Sequence, residues 1–190
     1  MAKGLARACQ APLVASTVSR LLIDLNRSIG HPQLFSLATR GAGAETRAHI
    51  VKQHYQPYRA QVERLVGQAV SRGHRVIHIS SHSFTAELDG KVRLADVGLL
   101  YHPGRQAETE VCARWKESLA ALAPELRVRR NYPYAGKGDG LTSHLRLRFA
   151  ESDYVGIELE INQSIVFAAG RRWTALRHVL IDSLRMACAS

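Results

Sequence analysis

Cysteine is scarce in this chain of 190 residues. Cys9, Cys112 and Cys188 lie far apart and form no paired-ligand spacing. An odd, sparse count argues against a disulfide framework or a structural zinc knuckle and fits a reducing cytoplasm. Long hydrophobic runs are lacking too. No apolar stretch reaches the roughly 18 residues that a membrane span needs, so no membrane partner is expected. The N-terminus has no continuous apolar segment of the kind that opens a secretory signal. Internal repeats and low-complexity segments are absent.

What the chain has is positive charge. Twenty-six Lys and Arg stand against 16 Asp and Glu, a net charge of +10 with a pI near 10.1. Such a balance invites a nucleic-acid reading. The basic residues are nevertheless spread along the sequence, with short clusters at Arg127, Arg129, Arg130 and at Arg171, Arg172, and no aromatic-interleaved basic stripe. A solvated basic surface is the plain reading, an anionic small substrate the next, and nucleic acid is not expected as a partner. At 46% hydrophobic and 22% charged residues, the composition is that of one globular domain with a sizeable core.

Helix and strand patterns alternate along the chain. Residues 2–9 read as the end of a helix and Leu13 to Ala15 as a short strand. Leu21 to Leu25 is apolar, and residues 30–44 form a Gly- and Ala-rich loop. Glu45 to Tyr55 and Pro57 to Arg72 carry helical periodicity, with Gly73 as C-cap. His74 to Ser80 alternates as a strand does, and Asp89-Gly90 marks a turn. Val97 to Tyr101 predicts a strand, Glu108 to Ala123 a helix, and Leu126 to Arg130 a strand. Leu141 to Phe149 predicts a helix, Tyr154 to Ile161 a strand, and Trp173 to Ala187 a closing helix. This order implies a three-layer α/β/α sandwich around a mixed, largely parallel sheet.

Four constellations and one further pair could carry chemistry. Ser80-Ser81-His82-Ser83-Phe84 follows a strand, where open α/β sheets bind ligands. His78, Ser80 and His82 share one face there, and His82 could bind a metal or be a hydrogen-bonded structural histidine. The strand Tyr154-Val-Gly-Ile-Glu158-Leu-Glu160-Ile-Asn162 carries two alternating carboxylates. On an edge strand they would face solvent. On a central strand their burial is costly and is tolerated for function, with Glu160, nearer the strand's end, as a general base. Asn26 and Arg27 follow an apolar stretch and make a carboxylate clamp, with Asp24 holding Arg27 or Arg20; the plain alternative is a surface salt bridge. The segment Asn131 to Gly140, with Gly136, Gly138 and Gly140, makes a flexible or tightly turning loop whose Asn131 and Tyr134 could cover a polar substrate. Arg93 and Asp96, beside the strand after His82, could pair and line the same pocket.

Taken in order, the stretches VSRLLIDLNRS (18–28), HYQPYR (54–59), SSHSFTAELDGKVRLADVGLLYHP (80–103), NYPYAGKGDGLTSHLR (131–146) and GIELEINQ (156–163) resemble the N-formylglutamate amidohydrolase family. That family is similar in turn to the zinc carboxypeptidases, which hold zinc through an H-x-x-E pair and a later His. The resemblance implies His82 as the later metal ligand, Asn26 and Arg27 as the clamp for a substrate carboxylate, and Glu160 as the catalytic carboxylate. It implies zinc as cofactor and a small anionic N-acyl (formyl) amino acid as substrate. It also implies an earlier segment with a first strand and a His-Gly motif, of which no counterpart is found here. The chain is therefore expected to be a single domain over residues 1–190, entering the pattern at the helix before residue 18. With one good ligand, it is expected to bind zinc weakly or not at all, and a metal-free binding module is the alternative function. Loss of a first strand could expose a sheet edge and promote a homo-oligomer.

Overall fold

The computed structural model describes residues 1–168 and 170–189. The chain divides into two compact units. The first comprises Met1–Leu13, Ile77–Gly138 and Val155–Ser190, and the second Val14–Val76 and Asp139–Tyr154.

The first unit is built on a sheet of β1 (Val76–Phe84), β4 (Val97–Leu100), β5 (Val128–Arg130) and β6 (Tyr154–Asn162), in the order β1-β6-β4-β5. Strand β4 runs parallel to β5 and antiparallel to β6, so the sheet is mixed, and helices flank it. The α/β class therefore stands as expected. Period-two alternation sends Val155, Ile157, Leu159 and Ile161 of β6 into one core. There they meet Val111, Cys112, Trp115 and Leu119 of α4 (Gln106–Leu122), spaced as one helical stripe. Leu176, Leu180, Leu184 and Ala187 of α7 (Gly170–Ala189) repeat the pattern, and Leu5 of α1 (Ala2–Ala8) joins them. The fully buried Trp115 satisfies its indole N–H on Ser183 Oγ at 3.0 Å.

Glu108, in the first turn of α4, has no solvent exposure. Its carboxylate accepts the backbone N–H groups of His102 at 2.7 Å and Gly156 at 3.1 Å, with Arg105 Nε 3.5 Å away. Charge buried in this way is tolerable because hydrogen bonds and a cation replace water. Asp89 and Gly90 both have positive φ, 51° and 72°, and join β2 (Glu87–Leu88) to β3 (Lys91–Val92) in a two-residue hairpin.

In the second unit α2 (Ala44–Ile50), a π-helical segment (Val51–Tyr55) and α3 (Gln56–Val70) run on without a break. The sequence predicts two helices separated at Gln56. Pro57 has no N–H to donate, but it sits in the first turn of α3, where that donor is dispensable, and the wider π turn lies just before it. Gly73, at φ 79°, ends the run in a Schellman pattern: His74 N–H bonds Ala69 O and Gly73 N–H bonds Val70 O. Val62 and Val66 of α3 pack with Leu141 and Leu145 of α5 (Leu141–Arg148), and Ile23, Leu34, Ile50 and Tyr55 form a separate cluster.

Three expectations about elements are corrected. Leu13 to Ala15 form no strand: Pro12 removes a donor, and Val14 packs instead beside the Val62 cluster. Strand β1 continues past Ser80 to Phe84, so His82 lies within it. The short helix α6 (Gln163–Phe167) was not expected; Asn162 caps it, its side-chain oxygen accepting Ser164 N–H at 2.9 Å.

Candidate active-site residues

In the first unit the geometry is built around β6. That strand lies between β1 and β4, so the edge-strand alternative for its carboxylates does not hold. Glu160 is 5% exposed, whereas Glu158 is half-buried. Glu160 pairs in register with Gly98 of β4. A Cβ at position 98 would stand 2.1 Å from the Tyr132 carbonyl oxygen and 3.2 Å from Glu160 Cβ. Only glycine lets that backbone carbonyl approach the strand beside Glu160. The close approach depends on the fold of a distant loop, so Gly98 was not singled out from sequence.

The loop that delivers the carbonyl is tied down. Asn131, at φ 49°, accepts Tyr101 N–H at 3.0 Å and Gly136 N–H at 3.1 Å on its side-chain oxygen, and its own N–H bonds Leu99 O. Gly136 packs so closely that a Cβ there would meet Tyr101 N at 2.2 Å. Of the two conformations expected for this segment, the tight turn is the one adopted over residues 131–136, and the Tyr132-Pro133 peptide in it is cis. Tyr134 remains 47% exposed. The Arg93 guanidinium lies 5.1 Å over its ring and donates to its hydroxyl at 3.1 Å, so Arg93 and Tyr134 form one unit. Asn162, which the sequence reading left without a role, donates from its side-chain amide to Arg93 O at 3.1 Å and Ala95 O at 2.9 Å. It thereby fixes the Arg93 segment to the end of the Glu160 strand.

The expected Arg93–Asp96 pair does not form. Asp96 instead takes both arms of Arg127, Nε and Nη2 at 3.1 Å, together with Arg127 N–H at 3.0 Å and Arg172 Nη2 at 3.6 Å. Burial pushes the Asp96 carboxyl up, but the Arg127 hydrogen bonds and the two guanidinium charges outweigh it and hold it below the ordinary range. His78, Ser80 and His82 do share a strand face, and Ser80 Oγ lies 2.8 Å from His82 Nε2.

In the second unit Asn26 and Arg27 sit on a turn held from several sides. Asp24 accepts Asn26 N–H at 3.0 Å and Arg20 Nη2 at 2.6 Å, with Arg27 Nε at 4.0 Å. Of the two arginines offered to Asp24, Arg20 is therefore the tighter partner. Tyr55 donates its hydroxyl to Arg27 O at 2.8 Å, while buried Arg59 reaches Asn26 O at 3.4 Å. These two residues give the 54–59 stretch its purpose: side chains from the helix hold the turn. Asn26 spends its side-chain oxygen on Leu141 N–H at 2.8 Å, at the start of α5. Arg27 donates Nη1 to Asp139 O at 3.2 Å, and its side chain is about one-third exposed. The Asp139 carboxylate binds both the N–H and the hydroxyl of Ser28. Burial raises its pKa, but the Ser28 bonds and the charges of His31 and Arg27 bring it below the usual value.

A catalytic zinc takes three protein ligands and keeps a fourth position open. Among the described residues no three His, Cys, Asp or Glu side chains converge to hold a metal. The donors present, His82 with the serines beside it, do not fit such a centre. No helix among the described residues is long and apolar enough to cross a membrane.

Comparison with known proteins agrees with the architecture. A crystal structure of a gene product from Agrobacterium tumefaciens superposes at TM-score 0.79 and 24% identity, covering 99% of this chain and 75% of the other. That of an N-formylglutamate amidohydrolase from Ralstonia eutropha superposes at TM-score 0.77 and 18% identity, covering 99% and 80%. At these identities the likeness shows the fold. No curated protein matches the chain. The model of the N-formylglutamate amidohydrolase family matches residues 1–167. The chain belongs to the N-formylglutamate amidohydrolase family, a family of hydrolases.

Proposed function

We propose that the chain is an amidohydrolase that cleaves the amide of an N-acyl, and in particular N-formyl, acidic amino acid. The observation that carries this reading is Glu160, a carboxylate 5% exposed on a central strand, in a chain of this family. In this reading Glu160 takes a proton from a water whose oxygen attacks the amide carbonyl carbon. It then returns that proton to the departing nitrogen, releasing a carboxylic acid (formate for a formyl group) and the free amino acid. Arg27 is assigned the substrate carboxylate, a role its planar fork and partial exposure suit. Asn26 keeps the clamp in place through its bond to Leu141. The Arg93–Tyr134 pair and the half-buried Asn131 are assigned to polar groups of the substrate. A net charge of +10 favours an anionic substrate.

The test is formate release from N-formyl-L-glutamate, with and without added zinc. A general base contributes about 10²- to 10⁴-fold, so Glu160→Gln should lose at least the lower figure in kcat with no loss of thermal stability. Full activity of that variant would refute the assignment. Arg27→Ala should raise KM far more for the acidic substrate than for an uncharged N-formyl amino acid.

The metal donor set favours a second reading, a metal-free small-molecule binding module. Elemental analysis of the purified chain separates the two: stoichiometric zinc counts against the module.

A further inference from the structure

Several arginines of this protein are neutralised by a carboxylate within reach. Arg20 pairs with Asp24, Arg105 with Glu108, Arg127 and Arg172 with Asp96, and Arg148 with Glu63. Arg129 and Arg130, directly after Arg127, do not follow this pattern. Among the described residues neither forms an ion pair, and neither does Lys116 of α4. All three line one open cavity of about 590 Å³ in the first unit, together with Tyr101, Asn131 and Tyr132, and no carboxylate lines it. The cavity lies along β5, the terminal strand of the sheet.

We propose that this groove binds a phosphate-bearing small molecule. Adjacent residues of a strand point to opposite faces, so Arg129 and Arg130 approach a ligand on the strand edge from two directions, and Lys116 from α4 adds a third. One guanidinium fork matches a planar carboxylate; donors in three directions match a tetrahedral group with several oxygens. The Arg129 guanidinium is already placed, 5.0 Å over the Tyr132 ring, and the Tyr132 segment is fixed by the Asn131 hydrogen bonds. A stacked arginine loses less freedom on binding than a mobile one. The volume falls within the range of small-molecule sites, about 300–1,000 Å³. The groove contains neither Glu160 nor Arg27 and shares Asn131 alone with the residues assigned to the amide substrate, and a binding measurement tests it without reference to hydrolysis.

The test is calorimetric titration of the full chain at physiological ionic strength with ADP, with inorganic diphosphate, and with glutarate as a dicarboxylate control. Saturable binding of ADP or of diphosphate is expected, the stronger of the two telling whether the ligand is an organic ester or the free anion. Glutarate should bind at least roughly tenfold more weakly, and Arg129→Gln and Arg130→Gln should each weaken the phosphate ligand by about tenfold or more with unchanged melting temperature. Arg129→Lys should weaken binding as Arg129→Gln does, because lysine lacks the fork. Absence of saturable binding, equal affinity for glutarate, or undiminished binding by either Gln variant would each overturn the proposal.

Discussion

Gly98→Ala tests the arrangement that places Glu160. The added Cβ would lie 2.1 Å from the Tyr132 carbonyl oxygen and 3.2 Å from Glu160 Cβ, where ordinary contact begins at 3.4 Å. The first obstacle is backbone, so no side-chain rotation relieves it. The carbonyl belongs to a turn anchored at Asn131 N–H, Asn131 Oδ1 and Gly136, and moving it by more than 1 Å means stretching those bonds. Overpacking a tight interior costs about 1–3 kcal/mol, and a clash with anchored backbone belongs at or above the top of that range. For a chain of this length each kcal/mol lowers Tm by roughly 2–4 °C, so a loss on the order of 6–12 °C is expected. Urea and thermal denaturation followed by circular dichroism measure it. Gly41→Ala, with no atom within 4 Å of the new Cβ, is the control and should change Tm by no more than about 2 °C. If Gly98→Ala unfolds within about 0.5 kcal/mol of the unsubstituted protein, the close approach of Tyr132 to the Glu160 strand is wrong.

Other outcomes follow from single contacts. Asn26→Ala removes the acceptor of Leu141 N–H and should cost about 1 kcal/mol in a urea titration. Trp115→Ala empties a fully buried site and should cost about 3–5 kcal/mol by the same measurement. Asp96 has a depressed folded pKa, so its contribution is complete above its unfolded value near 3.9 and fades as pH falls through the folded one. Melting temperature recorded from neutral pH downward should therefore drop below about pH 4, and Asp96→Asn should be less stable at neutral pH and show a shallower acid limb.

The elements that sequence made legible are those whose partners are local. The helical stripe of Val111, Cys112, Trp115 and Leu119, the alternation of Val155 to Ile161, the Gly73 cap and the Asp89-Gly90 turn are set by spacing and backbone preference alone. The buried carboxylate was legible for the same reason, as an interruption of an apolar alternation. What was not legible depends on residues far apart in the chain. Asp96 turns to Arg127 rather than Arg93 because β4 and β5 are neighbours in the sheet. The turn that Asn131 holds together, its side-chain oxygen accepting Tyr101 N–H and Gly136 N–H, joins a strand end to a loop and leaves no local pattern. Gly98 looks like any strand glycine until the Tyr132 carbonyl is placed against it.

A catalytic role for Glu160 predicts more than lost activity. A carboxylate kept on a central strand for its chemistry stands in an environment that costs folding free energy, because burying charge is unfavourable even where some partner offsets it. Glutamine has nearly the same shape and carries no charge. Glu160→Gln should therefore unfold at the same or a higher urea concentration than the unsubstituted protein, while formate release falls. A carboxylate kept for structure behaves in the opposite way. Glu108, fully buried and bonded to two backbone N–H groups and near Arg105, is that internal standard. Glu108→Gln breaks charge-assisted bonds, turns a donor toward N–H groups and should be clearly destabilising, by about 1–3 kcal/mol. Equal destabilisation at positions 108 and 160 would show that both carboxylates serve the fold, and would remove the main physical argument for catalysis at Glu160.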